Sequence, residues 1–299
     1  MSKALEELIE ILSPERIEEN TFRGKGSSND GAEGTYGGHF LGQASAAASA
    51  TVDDDRVTHS IHAYFLRSGR PGEPIDYTVD RIRDGRTFSS RRVRACQDGR
   101  VLFELIASFT VGAEGPLIDA SPPADFASLP APESLPRYHE LMATQDPLPL
   151  PADWALREHG VDIRVVNAPW SPLGPSSEDG IRMWIRADGP VPEDPKLQTA
   201  MLAYQTDESL ADTLLVPFGA TWCSPGVYCV SLDHAIWFHR PVDMNAWHFV
   251  EQRPLTATRS RGVACGYIWS KDRKLTASFT QEALLRLEPA AGVADTGVG

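Results

Sequence analysis

Two stretches of this chain share one cadence, and that repetition constrains the fold more than any single motif does. Ser60-Ile61-His62-Ala63-Tyr64-Phe65-Leu66-Arg67 and Ser231-Leu232-Asp233-His234-Ala235-Ile236-Trp237-Phe238-His239-Arg240 both open on a serine, pass through histidine-alanine and aromatic residues, and end on a cation. Their β-branched and aromatic side chains mark each as a buried strand. A second echo follows, with Ala107-Ser108-Phe109-Thr110 recurring as Ala277-Ser278-Phe279-Thr280, about 47 positions after Ser60 and about 46 after Ser231. Near-equal spacing inside both copies implies one fold used twice in tandem. With 299 residues, 41% of them hydrophobic, each copy has enough apolar material for its own core.

Leu5, Leu8, Ile9 and Leu12 make a turn-spaced apolar stripe, which predicts a short N-terminal helix stopped by Ser13-Pro14. A strand is expected from Ile17 to Phe22, then a loop over the glycine-rich Gly24 to Gly34. Residues 39–50 are rich in alanine and nearly free of bulky side chains. They predict a helix that must lie close to whatever wraps it, and a curved sheet would serve. Strands are expected at Val57–Leu66, Ile75–Asp80, Thr87–Gln97 and Val101–Thr110, with Asp84-Gly85 and Asp98-Gly99 as hairpin turns. Nine prolines between positions 116 and 151 mark a linker with a short helix near Tyr138–Ala143. The second copy is expected as strands at Val161–Asn167 and Ile181–Ala187, then a helix opened by Asp194-Pro195. That helix carries Leu197, Met201, Tyr204 and Asp207 on one face. Strands at Val227–Arg240, Trp247–Leu255, Gly262–Ser270 and Thr276–Arg286 complete it. The expected organisation is an N-terminal module at 1–115, a proline-rich linker at 116–155, a C-terminal module at 156–289 and a flexible tail at 290–299.

The net charge of −13 argues against nucleic acid or an anionic membrane face as a partner, and an anionic substrate would need a local basic pocket. No apolar run approaches a membrane span and no targeting pattern opens the chain, so a soluble, cytoplasmic protein is expected. Cys96, Cys223, Cys229 and Cys265 show no C-x-x-C spacing, which disfavours zinc and a redox dithiol. His59 with His62, and His234 with His239, fall on opposite faces of their strands and make poor metal pairs. A Gly-x-Ser-x-Gly elbow, a Gly-x-Gly-x-x-Gly fingerprint and a P-loop are all missing, so neither a serine nucleophile nor a nucleotide cofactor is expected.

The copies differ in their polar residues. Aligning Leu41 with Leu197 sets Thr51 opposite Asp207, and after the shared tetrapeptide the first copy continues with Val111 where the second has Gln281. Asp207, Ser231 and Gln281 thus stand out in the second copy. Taken singly, Asp207 reads equally as a capping or solvated carboxylate, Ser231 as a satisfied strand serine and Gln281 as a solvent-facing amide.

Together with Tyr36-Gly37-Gly38-His39-Phe40-Leu41-Gly42-Gln43 and Arg83-Asp84-Gly85-Arg86-Thr87-Phe88-Ser89-Ser90-Arg91-Arg92-Val93, the two repeats resemble the acyl-CoA thioesterase II family, from about Ile17 to Arg286. The resemblance implies an α+β double hot-dog, two tandem curved antiparallel sheets each wrapped around a central helix. It also implies hydrolysis of fatty acyl-CoA to free acid and CoA, with no cofactor. The family's aspartate on the second helix, serine or threonine before the Leu/Ile-Asp-His segment and late-strand glutamine fall on Asp207, Ser231 and Gln281. On that reading Asp207 takes a proton from a water held by Ser231 and Gln281. Gly37, Gly38 and His39 offer oxyanion donors, and His62 and Arg261 join them as substrate-binding positions. Arg91, Arg92, Arg94 and Arg259 are further candidates for the CoA phosphates. Acyl-CoA is the expected partner, and a homo-oligomer, dimer or tetramer, could form through the strand edges near Arg81 to Arg94. The glycine-rich loop and the linker do not match the family pattern. A hot-dog hydratase would need a loop-helix aspartate and histidine not found here; a catalytically silent acyl-CoA binding protein remains the alternative of another class.

Overall fold

The computed structural model describes residues 2–26, 34–112, 115–167 and 180–287. Most of the glycine-rich loop and the expected tail lie outside the described residues. Helix α1 (Lys3–Ile11) is capped by Ser2, whose hydroxyl accepts the Leu5 N–H at 3.2 Å. Its stripe of Leu5, Leu8 and Leu12 is 0 to 4% exposed, and each side chain so buried is worth about 1.5–3 kcal/mol. Strands β1 (Glu15–Glu18) and β2 (Thr21–Gly24) form a hairpin in place of the single strand expected there. Helix α2 (Gly37–Ser49) is followed by β3 (Val57–Phe65), β4 (Ile75–Asp84), β5 (Phe88–Gln97) and β6 (Arg100–Thr110). The linker carries α3 (Tyr138–Met142) and α4 (Ala152–Ala155). Then come β7 (Val161–Asn167), β8 (Ile181–Ala187), α5 (Pro195–Gln205), β9 (Val227–Ser231), β10 (Asp233–Phe238), β11 (His248–Thr258), β12 (Arg261–Ser270) and β13 (Leu275–Leu287).

The thirteen strands of the described residues belong to one sheet in the order β1-β2-β4-β5-β6-β3-β10-β13-β12-β11-β8-β7, with β9 pairing β13 beside β10. The halves join along the antiparallel β3–β10 seam, where Ile61 faces Ile236 and Ala63 faces His234. Helices α2 and α5 pack antiparallel on the inner face: Gly38 approaches Tyr204 while Gly42 approaches Ala200. A Cβ on Gly42 would lie 3.2 Å from the Ala200 carbonyl oxygen and 2.3 Å from Leu12, so small residues on α2 are a condition of this packing rather than a default. The linker crosses the outer face of the second half, where Phe126 and Leu135 bury Trp184, Trp247, Phe249 and Trp269.

Ladder register, not motif, decides which residues correspond. In the first half Thr58 pairs Phe109 and Ile61 pairs Ala107; in the second, Ser231 pairs Ala283 and His234 bonds Gln281, one step beyond the Ala235–Thr280 pair. These pairs correspond with offsets of about 173 residues on one strand and about 174 on the other, and Asp76–Cys96 corresponds to Phe249–Trp269 with about 173 on both. The matched tetrapeptides are therefore out of register, since Ala277 pairs Phe238 and corresponds to Phe103. The residue standing for Gln281 in the first half is Ala107, not Val111. Of the stretch from Arg81 to Arg94, the β5 part is no open edge, since β5 pairs both β4 and β6, whereas β4 pairs β2 only from Ile75 to Thr78. Two further boundaries differ from expectation. The stretch from Val227 breaks at Leu232 into β9 and β10, and α5 ends at Gln205 with Thr206 as its cap, which leaves Asp207 in the turn that follows.

Candidate active site

The turn after α5, the end of β9 and the middle of β13 converge beneath the N-terminus of α2. Gln281, 1% exposed on the inner face, sends one N–H of its amide to Asp207 Oδ1 at 3.1 Å and the other to Ser231 Oγ in a short contact. Asp207 also accepts the backbone N–H of Gly38. A Cβ on Gly37 would sit 2.4 Å from Asp207 Oδ2, and one on Gly38 would sit 2.4 Å from the Tyr204 carbonyl oxygen. The two glycines let the helix start meet the carboxylate from the other half. Behind the amide, His234 Nδ1 lies 3.1 Å from Gln281 Oε1, and its Nε2 lies 3.0 Å from Thr206 Oγ1.

Burial sets the electrostatics. It pushes the Asp207 carboxyl up to about 7, with Gln281 and Gly38 pulling down and Asp212 pushing up. Two more carboxyls share the enclosure: burial raises Glu208 to about 8 and Asp212 to about 6. Glu208 Oε1 accepts the Trp154 indole N–H from the linker at 3.0 Å, and Asp212 accepts that of Trp222. Burial drives the His234 imidazole down to about 4, so it is neutral near pH 7.

Of the expected positions, Asp207, Ser231, Gln281, Gly37 and Gly38 come together. His39 is 2% exposed with its ring against Tyr36 and Tyr204, and its N–H is taken by the Tyr36 carbonyl at 3.0 Å. His62 is misplaced by expectation: Ala63 faces inward, so its neighbour faces outward, where His62 packs edge-on against Trp237 at 5.2 Å. Arg261 also lies on the outer face, its Nε 3.0 Å from Glu282 Oε1. The proposed phosphate-holding Arg91 is 1% exposed and bonds Thr51 Oγ1, the Thr51 carbonyl and Asp84; Arg92 pairs with Asp80, and Arg259 sits in the β11–β12 turn with φ +50°. Arg91 thus occupies, in the first half, the neighbourhood that Asp207 and Gln281 occupy in the second. Sequence reading missed Thr206, Glu208, Asp212 and Trp154, and assigned His234 no role. The one available signal was the run of polar residues after α5, which a solvated turn would explain equally well.

A family model described as acyl-CoA thioesterase matches residues 167–284, and one for the acyl-CoA thioesterase N-terminal domain matches residues 25–110. The chain is 34% identical to acyl-CoA thioesterase 2 of Haemophilus influenzae over 292 residues, covering 96% of this chain and 99% of that one. It belongs to the acyl-CoA thioesterase family. The crystal structure of an acyl-CoA thioesterase II, TesB2, from Mycobacterium marinum is similar at a TM-score of 0.75 with 32% identity, covering 96% of this chain and 99% of that one. A hot-dog protein of unknown function from Alicyclobacillus acidocaldarius also reaches 0.75, at 18% identity, covering 95% and 99%; that likeness speaks to fold. The fold of this thioesterase family member is the α+β double hot-dog. Trp154, which bonds Glu208, lies between the two matched ranges, while Glu208 itself falls within the second.

Proposed function

We propose that the chain hydrolyses fatty acyl-CoA thioesters by direct attack of a water that Asp207 deprotonates. The observation that carries this reading is the convergence of Asp207, Ser231 and Gln281 through one amide. A thioester carbonyl is already electrophilic, so the chemistry needs a placed water, a base and charge stabilisation on the oxyanion. Gln281 spends both amide protons on Asp207 and Ser231, so it orders these two groups rather than the water. Ser231 receives a proton on its oxygen and keeps its own O–H free to aim at the nucleophile. With the Gly38 and His39 amides engaged, the Gly37 amide is the candidate left at the helix start for the oxyanion. Base and nucleophile-orienting hydroxyl come without a serine-histidine pair, which favours hydrolysis in one step without an acyl-enzyme.

The test is thiol release measured across acyl-CoA chain lengths, with direct binding measured alongside. Steady release on at least one chain length is expected. Tight binding with no release on any chain length would replace the enzyme with a silent acyl-CoA binding protein, and a burst of trapped acyl-enzyme would replace water attack with covalent catalysis.

A further inference from the structure

We propose that His234 is a positioning residue that holds the Gln281 amide in its working orientation, as the middle member of a hydrogen-bond chain from Thr206 to Asp207. The inference rests on the reading of Asp207, Ser231 and Gln281 as the water-activating set. The direction of the chain follows from its charged end. An ionised Asp207 can only accept, so the amide nitrogen of Gln281 faces it at 3.1 Å. That turns Oε1 toward His234 Nδ1 at 3.1 Å, and an oxygen there requires the imidazole proton on Nδ1. Nε2 is then bare and faces the Thr206 hydroxyl at 3.0 Å, whose one proton it shares with the Ala203 carbonyl at 2.8 Å. The imidazole is 1% exposed and packs near-parallel to Phe279, so bulk water does not compete for either nitrogen.

The chain matters at the moment of reaction. When Asp207 takes the proton of the attacking water it turns from acceptor into donor. An amide held by nothing else then gains by rotating its carbonyl toward the new O–H, which would pull its nitrogen from both Asp207 and Ser231. The His234 N–H on Oε1 opposes that rotation, and the carboxyl can give its proton up again in an unchanged setting.

A second observation is independent of the distances. By ladder register and helix end, the places of Thr206, Asp207, His234 and Gln281 are held in the first half by Ala50, Thr51, Ile61 and Ala107. All three uncharged members of the chain are apolar there, alongside the missing carboxylate. A histidine kept for packing has no reason to disappear with the glutamine; a histidine kept to orient it does.

Steady-state kinetics on His234→Leu, His234→Asn and Gln281→Ala, and on His234→Leu combined with Gln281→Ala, test this. Leucine removes the donor, whereas asparagine returns an amide N–H to the place of Nδ1. His234→Leu should lower kcat by at least about tenfold with KM within about twofold, the signature of an interaction used in the transition state. His234→Asn should recover kcat to within about threefold of the parent, and adding His234→Leu to Gln281→Ala should cost less than about a further twofold. Parental kcat in His234→Leu, an asparagine variant as slow as the leucine one, or a full additional loss beside Gln281→Ala would each overturn the proposal. Parental turnover by Gln281→Ala alone would instead remove the glutamine, and with it the reading beneath. If His234→Leu does not melt cooperatively, His234→Gln, which carries its amide to the position of Nε2, takes its place with the same expectations.

Discussion

Asp207 owes its reactivity to burial, and burial makes activity and stability respond to pH in opposite directions. As a base the carboxyl must be ionised, and it is raised to about 7, so kcat should climb with pH below about 7 and level off above it. Folding behaves otherwise. Asp207, Glu208 and Asp212 are raised to about 7, 8 and 6, against about 4 in an unfolded chain. Between those limits the folded protein holds protons that the unfolded chain has released. Their contribution to stability is full below about pH 4 and is lost as pH rises through the folded values. Below about pH 6.5 the buried imidazoles of His234 and His159, held down to about 4 and about 3, pull the other way. Above it the carboxyls act alone, so urea midpoints across about pH 7 to 9 should fall while kcat completes its rise. A midpoint that climbs over that range would show these carboxyls to be ionised and stabilised instead. At this scale the sequence was informative where one copy lacks a group that the other has: Asp207 stood out against Thr51 and Gln281 against an apolar residue, whereas Ser231 has a serine, Ser60, as its counterpart in the repeat and was singled out by the family resemblance. The roles of Thr206 and His234 were illegible, because they depend on which ladder rung faces which and the tetrapeptide match was slipped off its rung.

Elements were legible where turn chemistry marks their ends. Asp98-Gly99, with φ of 48° and 72°, closes β5 onto β6 as expected, and the Asp194 side chain caps α5 by accepting the Lys196 N–H at 2.9 Å. Ends without such chemistry were misread. Helix periodicity runs on through Asp207, but Thr206 turns its hydroxyl back to Ala203 and the helix stops; β9 runs into β10 without a glycine or proline between them, so only the change of pairing partner reveals the break at Leu232. His62 was misplaced by its likeness to His234, which hides a one-residue shift and hence a change of face. Arg91 carries the element-scale prediction. It ties the end of α2 to the β4–β5 hairpin through Thr51, Asp84 and the Arg83 carbonyl. Replacing it with leucine strands buried acceptors, so Arg91→Leu should lower unfolding free energy by about 2–3 kcal/mol while kcat stays within about twofold, because Arg91 binds beyond the C-terminal end of α2 and the site lies at its start. A variant with intact stability and lost turnover would place Arg91 in substrate binding after all.

Across the whole molecule, the two halves make one site because each supplies what the other lacks: the first gives the Gly37-Gly38 helix start, the second the carboxylate, hydroxyl and amide. They also share one sheet through the β3–β10 seam. Parting them would open two long strand edges and uncover the facing sides of α2 and α5. Residues 1–115 and residues 156–289 produced separately should each self-associate in size exclusion and release no thiol; turnover by either half alone would contradict the shared site. The most direct test of the account is the kcat of Asp207→Asn in thiol release, on a protein shown to bind acyl-CoA and to melt as the parent does. The account predicts a loss of at least about a hundredfold, the usual worth of a general base, and a kcat close to the parental value would contradict it.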